Sequence, residues 1–255
     1  MKNALIGYSG FVGSTLLKQT TFNDLYRSTN IQEIRGQCYE SVVCAGAPAQ
    51  KWLANKDPVA DTKKIDALIE HLSTIKCKQF ILISTVDVFK SPVDVDETTS
   101  VDTNDLHTYG LNRYRLEQFV QEHFDDSLIV RLPGLVGPGL KKNIIFDLLN
   151  NNNLEQIESR NVFQFYPMVN LWFDIQTALS HKLKLIHLTA EPISVGSIAK
   201  QGFGINFENP KSTPIVSYNF KSCYANLFGA DDYQYNQKET LLAVRSYAQS
   251  EPKKA

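Results

Sequence analysis

A tyrosine and an arginine stand four residues apart in "TYGLNRYRLE", so Tyr109 and Arg113 share one face if this segment is helical. A phenol ordinarily titrates at about 10. A fixed cation one helical turn away favours the phenolate and lowers that value, which would let Tyr109 exchange a proton with a carbonyl oxygen. Upstream, the apolar run "FILIST" ends in Ser84 and Thr85. A hydroxyl at either position would hydrogen-bond the same oxygen and orient it.

The second cluster lies near the amino terminus. In "ALIGYSGFVGSTLLKQ", Gly7, Gly10 and Gly13 recur every three residues between an apolar run and a helix-like run. That strand–turn–helix context suits a dinucleotide: a tight turn at Gly7, close backbone approach to a pyrophosphate at Gly10, and close helix packing at Gly13. The helix start would face the phosphates with its partial positive charge. A ligand-free structural turn is the alternative. The next strand ends in "YRSTN", with Arg27, Ser28 and Asn30 and no carboxylate. Arginine and hydroxyl groups there suit a 2′-phosphate, so NADP(H) is expected, with NAD as the alternative cofactor and a solvated Arg27 as the alternative role.

The elements that must position these residues alternate along the first half. "NALIGY", "DLYRS", a weaker "NIQEI", "SVVCAGA", "QFILIST" and "SLIVRLPG" read as strands. "GSTLLKQ", residues 57–74 and "TYGLNRYRLEQFVQEHF" read as helices; Ile65, Leu68, Ile69 and Leu72 fall at helical spacing. Such alternation predicts a doubly wound, mainly parallel sheet of the α/β class. Later, an Asn run at 150–153 reads as a helix ending in a polar turn, "LIHLTA" as one more sheet strand, "SVGSIAKQGF" and "KETLLAVRSYAQ" as helices, and "SEPKKA" as a frayed tail. Residues 205–236 show little periodicity.

Composition narrows the class. The 255 residues are 43% hydrophobic and 21% charged with a formal net charge of −1, which gives no footprint for nucleic acid or an anionic membrane. Cys38, Cys44, Cys77 and Cys223 form no C-x-x-C pair, a usage that suits a reducing compartment over a disulfide or metal framework. No apolar run approaches the roughly 20 residues of a membrane span. Met1-Lys2-Asn3 runs directly into the first strand, so a cytoplasmic protein without a signal peptide or metal is expected.

Taken together, "GYSGFVG", "VVCAGAP", "ISTVDVF", "TYGLNR", "RLPGLVGPG" and "LTAEPISVGSIA" resemble the extended short-chain dehydrogenase/reductase family of NAD(P)-dependent epimerases, dehydratases and reductases. The resemblance implies a Rossmann domain over 1–140, with strand returning near 185–190, and a small interleaved substrate lobe over most of 141–255. It implies Thr85, with Ser84 beside it, as the hydroxyl of the catalytic set and Tyr109 as acid/base. It places Ser9, Phe11 and Val12 with the glycines, and Ala45, Gly46, Ala47 and Pro133, against the cofactor. The family pattern is Y-x-x-x-K, whose lysine binds the nicotinamide ribose and lowers the tyrosine pKa; here Arg113 stands in its place, bulkier and planar.

The family's substrate loop would begin at Lys142 and Asn143, where a nucleotide diphosphate is one reading and a solvated lysine pair the other; Lys221 carries a weaker suggestion of the same kind. His107 reads as a helix-entry residue or as a border of the site, and Trp52 as a cofactor loop residue or a core anchor. Family dehydratases carry an acid pair after the Ser/Thr position, whereas "TVDVF" offers Asp87 alone. The expected activity is hydride transfer on a sugar, specifically a nucleotide-linked keto-sugar, by a homodimer. The alternative is a regulatory or redox-sensing protein that binds NADP(H) without turnover.

Overall fold

The structure is a computed structural model that describes residues 2–251. Most of the expected "SEPKKA" tail, residues 252–255, lies outside the described residues. The first half runs β1 (Asn3–Ile6), α1 (Phe11–Gln19), β2 (Asp24–Tyr26), β3 (Cys38–Cys44), α2 (Lys51–Lys56), α3 (Pro58–Leu72), β4 (Lys76–Thr85), β5 (Val93–Val95), α4 (Thr108–His123) and β6 (Ser127–Leu132). The second half runs β7 (Gly134–Val136), α5 (Ile144–Asn150), β8 (Val162–Phe163), β9 (Phe165–Pro167), α6 (Leu171–Ser180), β10 (Leu185–His187), β11 (Ile193–Ser194), α7 (Val195–Ile198), β12 (Asn219–Phe220) and α8 (Gln237–Ser250).

These elements fall into two compact units. The first comprises residues 1–90, 100–131 and 172–186. Its sheet has the order β10-β6-β4-β3-β1-β2, with β1 parallel to β2 and β3, and β3 parallel to β4. This is the expected doubly wound α/β architecture. The order in which strands are added reverses at β1, because β2 lies on one side of it and β3 on the other; ligands of such folds bind beyond the strand ends at that switch point. Alternate residues of the central strands serve opposite faces. Ala4, Ile6, Val42, Cys44, Phe80 and Leu82 join Ile65, Leu68, Leu72, Leu116 and Val120 in one core. Leu5, Val43 and Ile81 point the other way and are equally buried, so the sheet is covered on both faces.

Two expectations are corrected here. "NIQEI" is no strand: Ile31–Ile34 is a single 3-10 turn. Its two isoleucines are three residues apart, a turn's spacing, and only Ile34 is buried. "SVVCAGA" is therefore the third strand of the chain, not the fourth. Trp52 is no core anchor; it lies on α2 and is 66% exposed.

The second unit comprises residues 91–99, 132–171 and 187–255. It holds short strand pairs, β5 with β12 and β7 with β9 in parallel, and β8 with β11 antiparallel. With so little sheet, side chains satisfy much of its buried backbone. The Gln164 amide donates to Thr189 Oγ1, Ala190 O and Phe220 O and accepts from Phe220 N. Glu97 accepts from the His187 and Cys223 backbone and from Ser222. Among the described residues no helix is long and apolar enough to cross a membrane.

Candidate active site

The glycine turn connects β1 to α1. Gly7 has φ +86°, and a Cβ there would lie 2.3 Å from Ala45 O. A Cβ at Gly13 would lie 2.1 Å from Gly7 O. Both positions are thus fixed by backbone packing. Gly10 differs: a Cβ would meet nothing closer than 3.4 Å. Gly10 N donates to Gly7 O, and no side chain caps α1, so the amides of Phe11, Val12 and Gly13 lack intrahelical partners. A nine-residue helix that begins with bare amides fits a pyrophosphate at this turn. Ser9 lies within the turn, and Ala45, Gly46 and Ala47 directly follow β3 alongside it, with Ala45 N donating to Ile6 O.

The turn after β2 is built by Asn30. Its Oδ1 accepts from Arg27 N and its Nδ2 donates to Leu25 O, 2.8 and 3.0 Å. Arg27 and Ser28 are exposed on this turn. Arg27 Nε donates to Thr29 Oγ1, and the guanidinium lies 5.8 Å from the Tyr8 ring centroid. Arg27 thus remains available to a phosphate, while Asn30 shapes the loop that carries it.

Tyr109 and Thr85 meet. α4 begins at His107, whose Nδ1 accepts from Gly110 N at 3.0 Å, the helix-entry role. A Cβ on Gly110 would lie 2.1 Å from Asp87 O, so a glycine after Tyr109 lets α4 press against the segment following β4. There the Thr85 hydroxyl lies beside the buried Tyr109 phenol; it accepts from Asp87 N at 3.1 Å and donates to Asp87 Oδ2 at 3.5 Å. Asp87 pairs with Lys51 at 2.7 Å. Asn55 Oδ1 accepts from Tyr109 N, tying α2 to the same helix start.

Ser84 does not join them. As its strand neighbour it faces the other way, and its hydroxyl donates to Glu117 Oε1. Glu117 is held by Arg131 through bonds of 3.1 and 2.7 Å, all three residues being buried. Of the two expected hydroxyls, only Thr85 reaches Tyr109.

Arg113 is also placed unexpectedly. It is buried, and Nη1 donates to Asp61 Oδ2 at 2.5 Å and to Tyr109 O at 3.3 Å, while Nη2 donates to Pro48 O. Its guanidinium carbon lies 4.0 Å from the Tyr109 ring centroid. The expected lowering of the phenol's pKa is reversed. Burial pushes Tyr109 up to about 12; Arg113 and the neighbouring Thr85 hydroxyl pull it down, while Asp87 and Asp61 push it further up. At neutral pH Tyr109 is therefore protonated.

In the second unit, Asn143 has φ +106° and caps α5, accepting from Ile145 N and Phe146 N. Lys142 is exposed beside it. Lys221 forms ion pairs with Asp94 and Asp232 at 3.4 and 3.5 Å. Pro133 stands between β6 and β7.

Sequence reasoning missed Asp61, Asn55, Glu117 and Arg131. Asp61 left one signal: it shares helical spacing with Ile65, Leu68 and Leu72, so it sits on the buried face of α3, where a carboxylate requires a partner.

This fold and site define an α/β protein of Rossmann type with a Thr–Tyr pair beyond the sheet. No protein-family model matches the chain, and no curated protein matches it by sequence. Its fold is that of solved sugar-nucleotide epimerases and reductases of the extended short-chain dehydrogenase/reductase type. A dTDP-4-dehydrorhamnose reductase from Yersinia enterocolitica aligns with a TM-score of 0.72 at 16% identity over 98% of this chain and 99% of that one. A UDP-glucose 4-epimerase from Thermotoga maritima, solved with UDP-glucose, gives 0.71 at 14% over 98% of each chain. RMD from Pseudomonas aeruginosa, complexed with NADPH, gives 0.69 at 15% over 98% and 99%.

Proposed function

We propose that the protein is an NAD(P)-dependent oxidoreductase or epimerase acting on a sugar, with a nucleotide-linked keto-sugar as substrate and NADP(H) as the preferred cofactor. The observation that carries this reading is the placement of the Thr85 hydroxyl beside the buried Tyr109 phenol, in the same unit as the glycine turn. The sugar-nucleotide and NADPH complexes among the structural neighbours support the ligand classes.

The cofactor's pyrophosphate would be held by Gly10 and the amides of Phe11, Val12 and Gly13, and a 2′-phosphate by Arg27 and Ser28. When bound, the nicotinamide supplies or accepts hydride. Thr85 orients the substrate carbonyl, and Tyr109 donates its proton to the oxygen. With its pKa pushed up to about 12 the phenol is protonated at neutral pH, the form that carbonyl reduction requires. Lys142, Asn143 and Lys221 are proposed for the nucleotide diphosphate, and Pro133 for the nicotinamide side. A homodimer is part of the proposal, checked by light scattering.

The test is oxidation of NADPH, followed by absorbance, against a panel of nucleotide keto-sugars. Turnover abolished by Tyr109→Phe supports the reading; tight NADPH binding with no turnover of any panel member defeats it. One observation favours the second reading, a binding protein without turnover: Arg113 gives both terminal nitrogens to groups of its own chain, where the family lysine would serve the ribose.

A further inference from the structure

Asp61 lies in the first turn of α3 and is 4% exposed; Arg113, on α4, is 3% exposed. The two meet at 2.5 Å, and Asn112 Nδ2 adds a 2.8 Å bond to the same Asp61 oxygen. Pro48 O takes Nη2 of Arg113, and only Nε has no partner. The guanidinium is therefore fixed in position as well as paired in charge, and the position it is fixed in is against the Tyr109 ring.

We propose that Asp61 is a positioning residue for Tyr109. Its carboxylate claims Arg113, clamps the guanidinium against the phenol ring and offsets part of the cation's charge there, which helps keep Tyr109 in its protonated, donating form. The proposal rests on the reading of Tyr109 as the proton-transfer group.

The other groups around Tyr109 cannot substitute for this pair. Thr85 on β4 is neutral. Asp87, in the turn after β4, is already matched by Lys51 of α2. His107, at the start of α4, has its pKa lowered, chiefly by burial, and is neutral above the ordinary histidine range. Asp61 and Arg113 are the fully buried ion pair against the ring, and Asp87 adds a field of the same sign as Asp61.

The test uses the full chain with tyrosine labelled at 13Cζ, the Tyr109 signal being assigned by its loss in Tyr109→Phe. The signal is followed by NMR from pH 7 to about 10.5 with no substrate present. In the wild type Tyr109 stays protonated throughout. In Asp61→Asn the bare guanidinium brings its ionisation down by at least about two units, a hundredfold change in the ionisation constant, into the observed range. A Tyr109 signal that behaves as in the wild type overturns the proposal.

Because Asp61→Asn leaves a buried cation unpaired, Asp61→Asn/Arg113→Gln removes both charges together. Its Tyr109 stays protonated to about pH 10.5, and a signal titrating below that overturns the proposal too. The readout requires no turnover. A shifted phenol with no activity on any nucleotide keto-sugar defeats the proposed function alone; activity with an unshifted phenol defeats this inference alone. Where turnover is seen, the alkaline limb of the Asp61→Asn rate profile moves to lower pH by the same amount.

Discussion

Ser84 and Thr85 are consecutive on β4, yet one hydroxyl donates to buried Glu117 and the other stands beside the Tyr109 phenol. Strand alternation assigns them to different tasks. Thr85→Val is therefore expected to keep the fold and lower kcat at least about a hundredfold, as loss of an oriented donor does. Ser84→Ala should leave kcat near the wild type and cost about 1 kcal/mol of stability, since it removes one hydrogen bond from a Glu117 that keeps Arg131. Steady-state rates and denaturant melts on the pair of variants check this. Equal kinetic losses in both would contradict the assignment.

The raised phenol predicts an asymmetric pH dependence. The reductive reaction needs protonated Tyr109, so its rate should stay flat across neutral pH and fall only as pH climbs toward about 12, as far as the fold survives. The oxidative reaction needs the phenolate and should accelerate with pH over the same interval. Folding follows the same sign. A phenol raised on folding from about 10 contributes stability fully present below about pH 10 and lost as pH rises toward the folded value. Rate profiles in both directions, with Tyr109→Phe as control, test the assignment; a reductive rate that declines below pH 9 argues against it.

The glycine turn separates packing from binding. Gly13→Ala would drive a Cβ onto Gly7 O and should lose soluble, folded protein. Gly10→Ala meets only an ordinary contact and sits at φ −77°, so its thermal midpoint should move little. Its methyl group nevertheless intrudes where a pyrophosphate approaches the amides, and NADPH affinity should fall about tenfold or more. Calorimetric titration and melting of both variants decide this; unchanged affinity in Gly10→Ala would place the dinucleotide elsewhere.

What was legible in the sequence was whatever depends on periodicity. The apolar runs of β3 and β4 and the helical face Ile65, Leu68 and Leu72 are local patterns, and all three became the expected elements. Tyr109 and Arg113 were correctly placed on one helix face. Long-range pairing was not legible. Nothing near Arg113 in the sequence says that Asp61, 52 positions earlier, pairs with it, and the sign of the Tyr109 shift is set first by burial, which the local sequence does not show. "NIQEI" misled for a different reason. Its isoleucines stand three residues apart, the spacing of a 3-10 turn, and Asn30 ties the turn before it to Arg27 and Leu25.

Arg27 tests cofactor preference without disturbing the fold. The side chain is exposed, bonded only through Nε to Thr29 and set near the Tyr8 ring, so Arg27→Ala should change stability by no more than about 0.5 kcal/mol. A guanidinium on a 2′-phosphate makes charge-assisted hydrogen bonds worth about 1.5–3 kcal/mol. NADPH binding should therefore weaken by roughly ten- to a hundredfold, by the same arithmetic, while NADH binding, which involves no 2′-phosphate, stays where it is. Fluorescence titration of both cofactors against both proteins gives the comparison. Parallel losses for NADPH and NADH would assign Arg27 to the loop rather than the phosphate, and wild-type affinity for NADH equal to or tighter than for NADPH would remove the preference for NADP(H) altogether.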